Sequence, residues 1–109
     1  METRPGIIEI FEDENGRSPF DDWTSELASS NKNLLAIIDS RIGRIRRGLL
    51  GDCEPVGEGV SELKIDVGPG YRIYFGCRRD MVVILLAGTK KTQKQDIKKA
   101  KKFWRKDNA

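Results

Sequence analysis

The spacing of apolar and polar residues changes along the chain, and each change marks an element. Residues 7–11, Ile-Ile-Glu-Ile-Phe, form a short apolar-rich strand candidate, broken by the turn-forming run Asp13-Glu14-Asn15-Gly16. Ser18-Pro19-Phe20-Asp21 reads as a helix start, with serine as N-cap, proline in the first turn and an acid three residues on. Phe20, Trp23 and Leu27 then supply one apolar stripe, and this helix is predicted to end at residues 29–31. A second helix is predicted over residues 32–49, where Leu34, Ile38, Ile42, Ile45 and Leu49 keep the helical period and Arg44, Arg46 and Arg47 fall off it. The short link predicts an antiparallel helix hairpin. Gly48 and Gly51 mark its end, and residues 51–59 read as a polar loop containing glycine and proline.

Beyond residue 60 the period becomes two. Strands are predicted over residues 60–67, 71–78 and 81–88, separated by Gly68-Pro69-Gly70 and by Arg79-Asp80. Alternation sends Leu63, Ile65 and Val67 to one side, and Lys64 and Asp66 to the other. It also separates Tyr71, Ile73 and Phe75 from Arg72 and Tyr74. One face of this hairpin is therefore expected to pack on a core, and the other to display Lys64, Arg72 and Tyr74 close together. Residues 82–86 are apolar without alternation, which predicts a strand buried on both faces. Thr92 followed by Gln95 is a capping-box pattern opening a last helix, whose apolar face is Ile97, Ala100, Phe103 and Trp104. The predicted order is βααβββα: one α+β domain over residues 1–109. Its sheet is mostly antiparallel, a meander joined by the first strand at one edge, with the helices packed on it.

Size and composition narrow the function classes. The chain has 109 residues, 38% apolar and 34% charged, enough for one domain with a modest core. The longest apolar run, residues 81–87, is far too short to span a bilayer. No signal-peptide pattern opens the sequence, so a cytoplasmic protein with no membrane partner is expected. Cys53 and Cys77 read as two free thiols rather than a disulfide. With no histidine and no CxxC, histidine-rich metal sites and a histidine general base are excluded, and neither a metal nor a cofactor is expected. The net charge of +3 conceals an asymmetry. Residues 1–30 carry eight acids against Arg4 and Arg17, whereas residues 90–106 carry nine cations and one acid, Asp96. A basic half of this kind suits a nucleic acid or an acidic protein partner, and is equally satisfied by a solvated lysine-rich helix.

A cation pair beside an aromatic hydroxyl is what a polyanion-binding or phosphoryl-chemistry site needs. Arg72 offers a planar fork that matches two phosphate oxygens and stays charged at any working pH. An ion pair from Arg72 to Asp66 or Glu62 across the hairpin satisfies the same pattern. Lys64 among other cations is a candidate general base or second phosphate contact.

Two segments carry a family resemblance. The first is Leu63-Lys64-Ile65, with Gly68-Pro69-Gly70-Tyr71-Arg72-Ile73-Tyr74-Phe75. The second is Leu85-Leu86-Ala87-Gly88-Thr89-Lys90-Lys91-Thr92-Gln93, with Asp96-Ile97 and Ala100. Together they resemble the RelE/HigB-like toxins of bacterial type II toxin–antitoxin modules, in the phage-derived branch described as addiction module killer proteins. The resemblance covers nearly the whole chain. It implies a RelE-like, microbial-RNase-like sheet and metal-independent cleavage of mRNA, usually on the ribosome. It also implies a helix-turn-helix antitoxin, HigA-like, that neutralises the toxin and carries the complex to operator DNA.

Carried onto this chain, the resemblance makes Arg72, Lys64 and Lys90 the catalytic candidates. Lys90 matches the lysine of the family's Lys-x-Thr-Gln motif, with Lys91 a near competitor. Gln93 is expected to hydrogen-bond a base or to cap the helix, and Tyr74 to stack on a base or donate its hydroxyl. Lys94, Arg46 and Arg47 suit the phosphate-rich RNA of the ribosome. Tyr71, Trp23, Phe103 and Trp104 are expected to pack rather than touch RNA. Asp66 departs from relatives that display a second basic residue at its position. A ParE-like gyrase inhibitor and a non-catalytic RNA-binding module are the competing readings.

Overall fold

The computed structural model describes residues 6–49 and 51–108; Glu2 and Arg4 of the acidic segment lie outside them. The elements are β1 (Ile7–Ile10), α1 (Pro19–Ser30), α2 (Lys32–Arg46), β2 (Cys53–Gly57), β3 (Val60–Ile65), β4 (Tyr71–Arg78), β5 (Met81–Thr89) and α3 (Gln93–Asp107), with a 3-10 turn at Lys90–Thr92. They form one α+β domain around a five-stranded mixed sheet in the order β1-β5-β4-β3-β2. β1 lies parallel to β5 at one edge, and the other three pairings are antiparallel.

The helix starts follow the sequence. The Ser18 side chain accepts from the Asp21 amide, and the Asn31 side chain caps α2 at the Leu34 amide. The α2 helix stops at Arg46 rather than near residue 49. Gly48 adopts φ +79, and the Leu49 amide turns back to the Arg44 carbonyl, which leaves the Leu49 side chain exposed. Residues 53–57, expected as loop, form the edge strand β2 despite Pro55. An edge position tolerates proline because only one side of the strand needs donors. The strand expected to reach Val67 ends at Ile65, and Val67 enters the turn and is exposed.

Both faces of the sheet are covered. On one face Leu63, Ile65, Ile73, Phe75, Val82 and Ile84 pack against Phe20, Leu34, Ile38 and Ile45 of the α1–α2 hairpin. On the other, Val60, Tyr74, Val83, Leu85 and Leu86 pack against Ala100 and Trp104 of α3. An irregularity in the β4–β5 pairing matches Tyr74 to Leu86 but Phe75 to Ile84, so Leu85 and Leu86 both point toward α3. This is the physical origin of the unbroken apolar run in β5.

The approach of α3 depends on small residues beneath it. A Cβ on Gly76 would lie 2.6 Å from the Trp104 ring. Phe103 stacks on Phe11 at 4.7 Å between ring centroids, and Arg78 reaches both Glu9 and Asp107, fastening the end of the helix. No helix among the described residues is long and apolar enough to cross a membrane. Gly76→Ala is expected to force the Trp104 ring aside and destabilise the domain by about 1–3 kcal/mol, read from the midpoint of urea unfolding; an unchanged midpoint would contradict this packing.

Candidate functional site

The hairpin cations stand where alternation sends them, but the face that carries them is roofed by α3. Lys64 and Arg72 are register partners on β3 and β4, and Glu62 is the partner of Tyr74 one step along the same face. Arg72 is only 6% exposed. Its Nε lies 3.7 Å from Glu62 Oε1, its Nη1 lies 3.7 Å from Asp66 Oδ1, and Nη1 donates to the Tyr71 carbonyl at 3.0 Å. Both ion pairs weighed from the sequence therefore form at once. Arg72 Nε nevertheless has no hydrogen-bond partner, so the guanidinium fork is neutralised in charge without being saturated in geometry.

Glu62 is the residue the sequence undervalued. It is 2% exposed, and its Oε2 accepts the Gln93 side-chain amide at 2.7 Å. One carboxylate thus joins β3, β4 and the first turn of α3. Period-two alternation places Glu62 on the Lys64 face, and that was the available signal. What the pattern did not reveal is that α3 closes over this face and turns a surface acid into an interior one.

Tyr74 contradicts the expectation of a displayed hydroxyl. It is fully buried beneath α3, where no base can stack on it, and its hydroxyl has no hydrogen-bond partner. Burial, and then the nearby Glu62 charge, push its phenol well above the ordinary tyrosine range, so it stays protonated. The Thr92–Gln95 capping box is also corrected. Thr92 makes no cap bond to the helix backbone; its hydroxyl donates instead to Asp96 Oδ2 at 2.5 Å. Asp96 is itself buried and presses against Gly88, where no Cβ would fit.

The remaining candidates divide into two groups. Lys90 is brought to Arg72: the place a Gly70 Cβ would occupy is 3.5 Å from both Arg72 Nη1 and Lys90 Cβ. The Lys90 amide donates to the Gly70 carbonyl at 2.9 Å, and Gly70 holds φ +82 to permit this approach. Lys90, Lys91, Gln93 and Lys94 line an open groove of about 710 Å³, extended along α3 by Lys98 and Lys101. Among the described residues, Lys90, Lys91 and Lys94 form no ion pair. Gln93 lines the groove, but its amide is committed to Glu62.

Lys64 is half-buried and turned outward, 3.1 Å from Glu54 of β2, so it is held apart from Arg72. Arg46 and Arg47 are not brought to the site. The Arg46 carbonyl accepts from Gly6, and Arg46 lines a separate pocket beside Arg79 and Asp80, at the far end of β4 from Arg72. Tyr71 packs on the α1–α2 core with Trp23 at its edge, 6.0 Å between centroids, as expected.

Both cysteines are free thiols, and burial pushes the Cys53 thiol up to about 11, which makes it a poor nucleophile at neutral pH. Among the described residues no group of three or more histidine, cysteine or carboxylate side chains could hold a metal ion. The arrangement is suited to binding a chain of phosphates: an open lysine groove, with a partly satisfied, buried arginine outside its lining but beside Gly70, against which Lys90 also rests.

An uncharacterized protein of Haemophilus influenzae (strain ATCC 51907 / DSM 11121 / KW20 / Rd) is 46% identical to this chain over 83 residues, covering 75% of this chain and 82% of the relative. No family model and no solved structure matches the chain.

Removing Glu62 leaves Arg72 without its interior counter-charge. Glu62→Ala is expected to cost about 3–5 kcal/mol, while Glu54→Ala, which frees only the outward Lys64, should cost less than about 1 kcal/mol. Urea unfolding of the two variants side by side checks this contrast, and equal losses would remove Glu62 from its central place.

Proposed function

The chain belongs to the same family as the uncharacterized Haemophilus influenzae protein, and we propose that it is the toxin of a type II toxin–antitoxin module that cleaves mRNA without a metal ion. The observation that carries the reading is the approach of Arg72 and Lys90 to Gly70, beside a groove that Lys90 lines. The two segments that carry them are those on which the resemblance to RelE/HigB-like toxins rests, and the five-stranded sheet with helices on both faces is compatible with a RelE-like topology.

In this reading the groove lysines hold the RNA backbone through phosphate contacts. Arg72 and Lys90 flank the scissile phosphate. The RNA's own 2′-hydroxyl attacks the adjacent phosphorus, the bond to the 5′-oxygen breaks, and a 2′,3′-cyclic phosphate and a 5′-hydroxyl result. Arg72 stabilises the charge that grows on the phosphorane oxygens, and Lys90 assists the departing 5′-oxygen. Lys64 is the candidate proton acceptor, and to serve it must leave Glu54, release its own proton to water and present a neutral amine to the 2′-hydroxyl. The ribosome supplies the substrate in the cytoplasm, and a helix-turn-helix antitoxin, whose acidic segment covers the groove, silences the toxin and binds operator DNA.

A second reading draws on a specific observation. Arg72 is buried between two carboxylates and Tyr74 is sealed from solvent, which favours a basic module that binds RNA without cutting it.

Cleavage of a reporter mRNA in a translating extract separates the two. The wild-type protein is expected to cut. Arg72→Ala and Lys90→Ala should each lower the rate by about 10²-fold or more, with circular dichroism reporting an intact fold. Binding without cutting by the wild-type protein would leave the second reading standing. Cutting unaffected by both substitutions would place the chemistry elsewhere.

A further inference from the structure

Arg72 meets two carboxylates of opposite character. Glu62 is interior, shared with Gln93, and cannot leave without exposing a buried charge. Asp66 lies in the turn after β3, with its side chain 79% exposed, and reaches Arg72 Nη1 at 3.7 Å. An acid so exposed adds little stability through an ion pair. Among the described residues it makes no other ion pair or side-chain hydrogen bond. Arg72 Nη1 is also the guanidinium atom that faces Gly70, against which Lys90 of the groove lining rests.

We infer that Asp66 is a built-in competitor for phosphate at Arg72. This rests on the proposal that Arg72 receives a phosphate. Glu62 balances the arginine permanently; Asp66 adds a second negative charge on its outer side, at the atom an arriving phosphate oxygen would take. A single phosphate must displace Asp66 with only Arg72 and Lys90 in return. A polynucleotide brings further phosphates to Lys91 and Lys94 at the same time, and these contacts offset the displacement. The exposed position of Asp66 lets it turn into water without disturbing the core. Asp66 therefore raises the threshold for binding and selects extended polyanions over isolated phosphate.

The test uses the full chain and a short RNA oligonucleotide methylated at every 2′-oxygen, which cannot undergo attack by a 2′-hydroxyl. Binding is measured by fluorescence anisotropy at low salt. Asp66→Asn is expected to tighten binding about two- to fivefold, the size of an exposed ion pair, and the gain should shrink as salt rises. It should vanish in an Arg72→Gln background. Glu14→Gln removes one exposed acid elsewhere and controls for net charge; it should leave affinity unchanged, and it decides the matter if Arg72→Gln does not fold. Unchanged or weaker binding by Asp66→Asn overturns the inference. So does a gain that persists without Arg72 or is matched by Glu14→Gln. Absence of mRNA cutting by the wild-type protein would overturn the nuclease reading alone, because the competition is read from binding to an RNA that cannot be cut.

Discussion

Interior carboxylates are tolerated only when their charge and lone pairs are met, and the burial of Glu62 imposes that condition on three elements at once. Arg72 must come from β4 and Gln93 from the start of α3, and each is held by one oxygen of the same group. The condition runs in both directions. Arg72, equally interior, pairs with no other buried acid among the described residues. The start of α3 is therefore fixed relative to the β3–β4 hairpin by a charge requirement, and Lys90, one turn earlier, is fixed with it. The groove owes its position to the bond between one of its lining residues, Gln93, and an interior acid that does not line it.

The rest of α3 is held by shape. Gly76 lets the Trp104 ring lie against β4, Gly88 leaves room for the Thr92–Asp96 pair, and Arg78 closes the far end against Asp107. The helix thus has the Glu62 anchor at its start, and at its end the packed Trp104 ring together with the Arg78–Asp107 ion pair. A strongly basic helix can sit on a sheet only if its inner face supplies apolar area. Ala100 and Trp104, aided by Ile97 and Phe103, supply it here.

The sequence was most readable where a single period ruled. Leu63, Ile65 and Ile73 lie on the face that alternation assigns them, Ser18 caps the first helix, and Trp104 packs as its helical spacing requires. It was least readable where a neighbour decided the outcome. Residues 53–57 become a strand because β3 offers them an edge, which their own glycine and proline content does not reveal. Tyr74 and Glu62 alternate correctly, yet alternation gives only a side and not what covers it; once α3 covers that side, a displayed aromatic becomes core and a surface acid becomes a keystone. Arg46 and Arg47 carried the right charge for RNA, but the helix hairpin delivers them to the opposite end of the sheet. Lys90 and Arg72 both approach Gly70 because the tight Arg79-Asp80 turn pairs Arg72 with Gly88, a closeness the hairpin spacing already carried.

The parallel pairing of β1 with β5 has a consequence for the order in which the molecule is made. The helix hairpin and three other strands lie between them in the chain, so β1 has no partner until all of these have left the ribosome. The helix that roofs Glu62 and draws Lys90 to Arg72 is later still. A partly synthesised chain can hold the α1–α2 hairpin and the beginnings of the sheet, yet its basic groove does not exist. The lysine groove therefore forms only once α3 is in place, and without α3 the side chains of Val60, Tyr74, Val83, Leu85 and Leu86 would stand open to water.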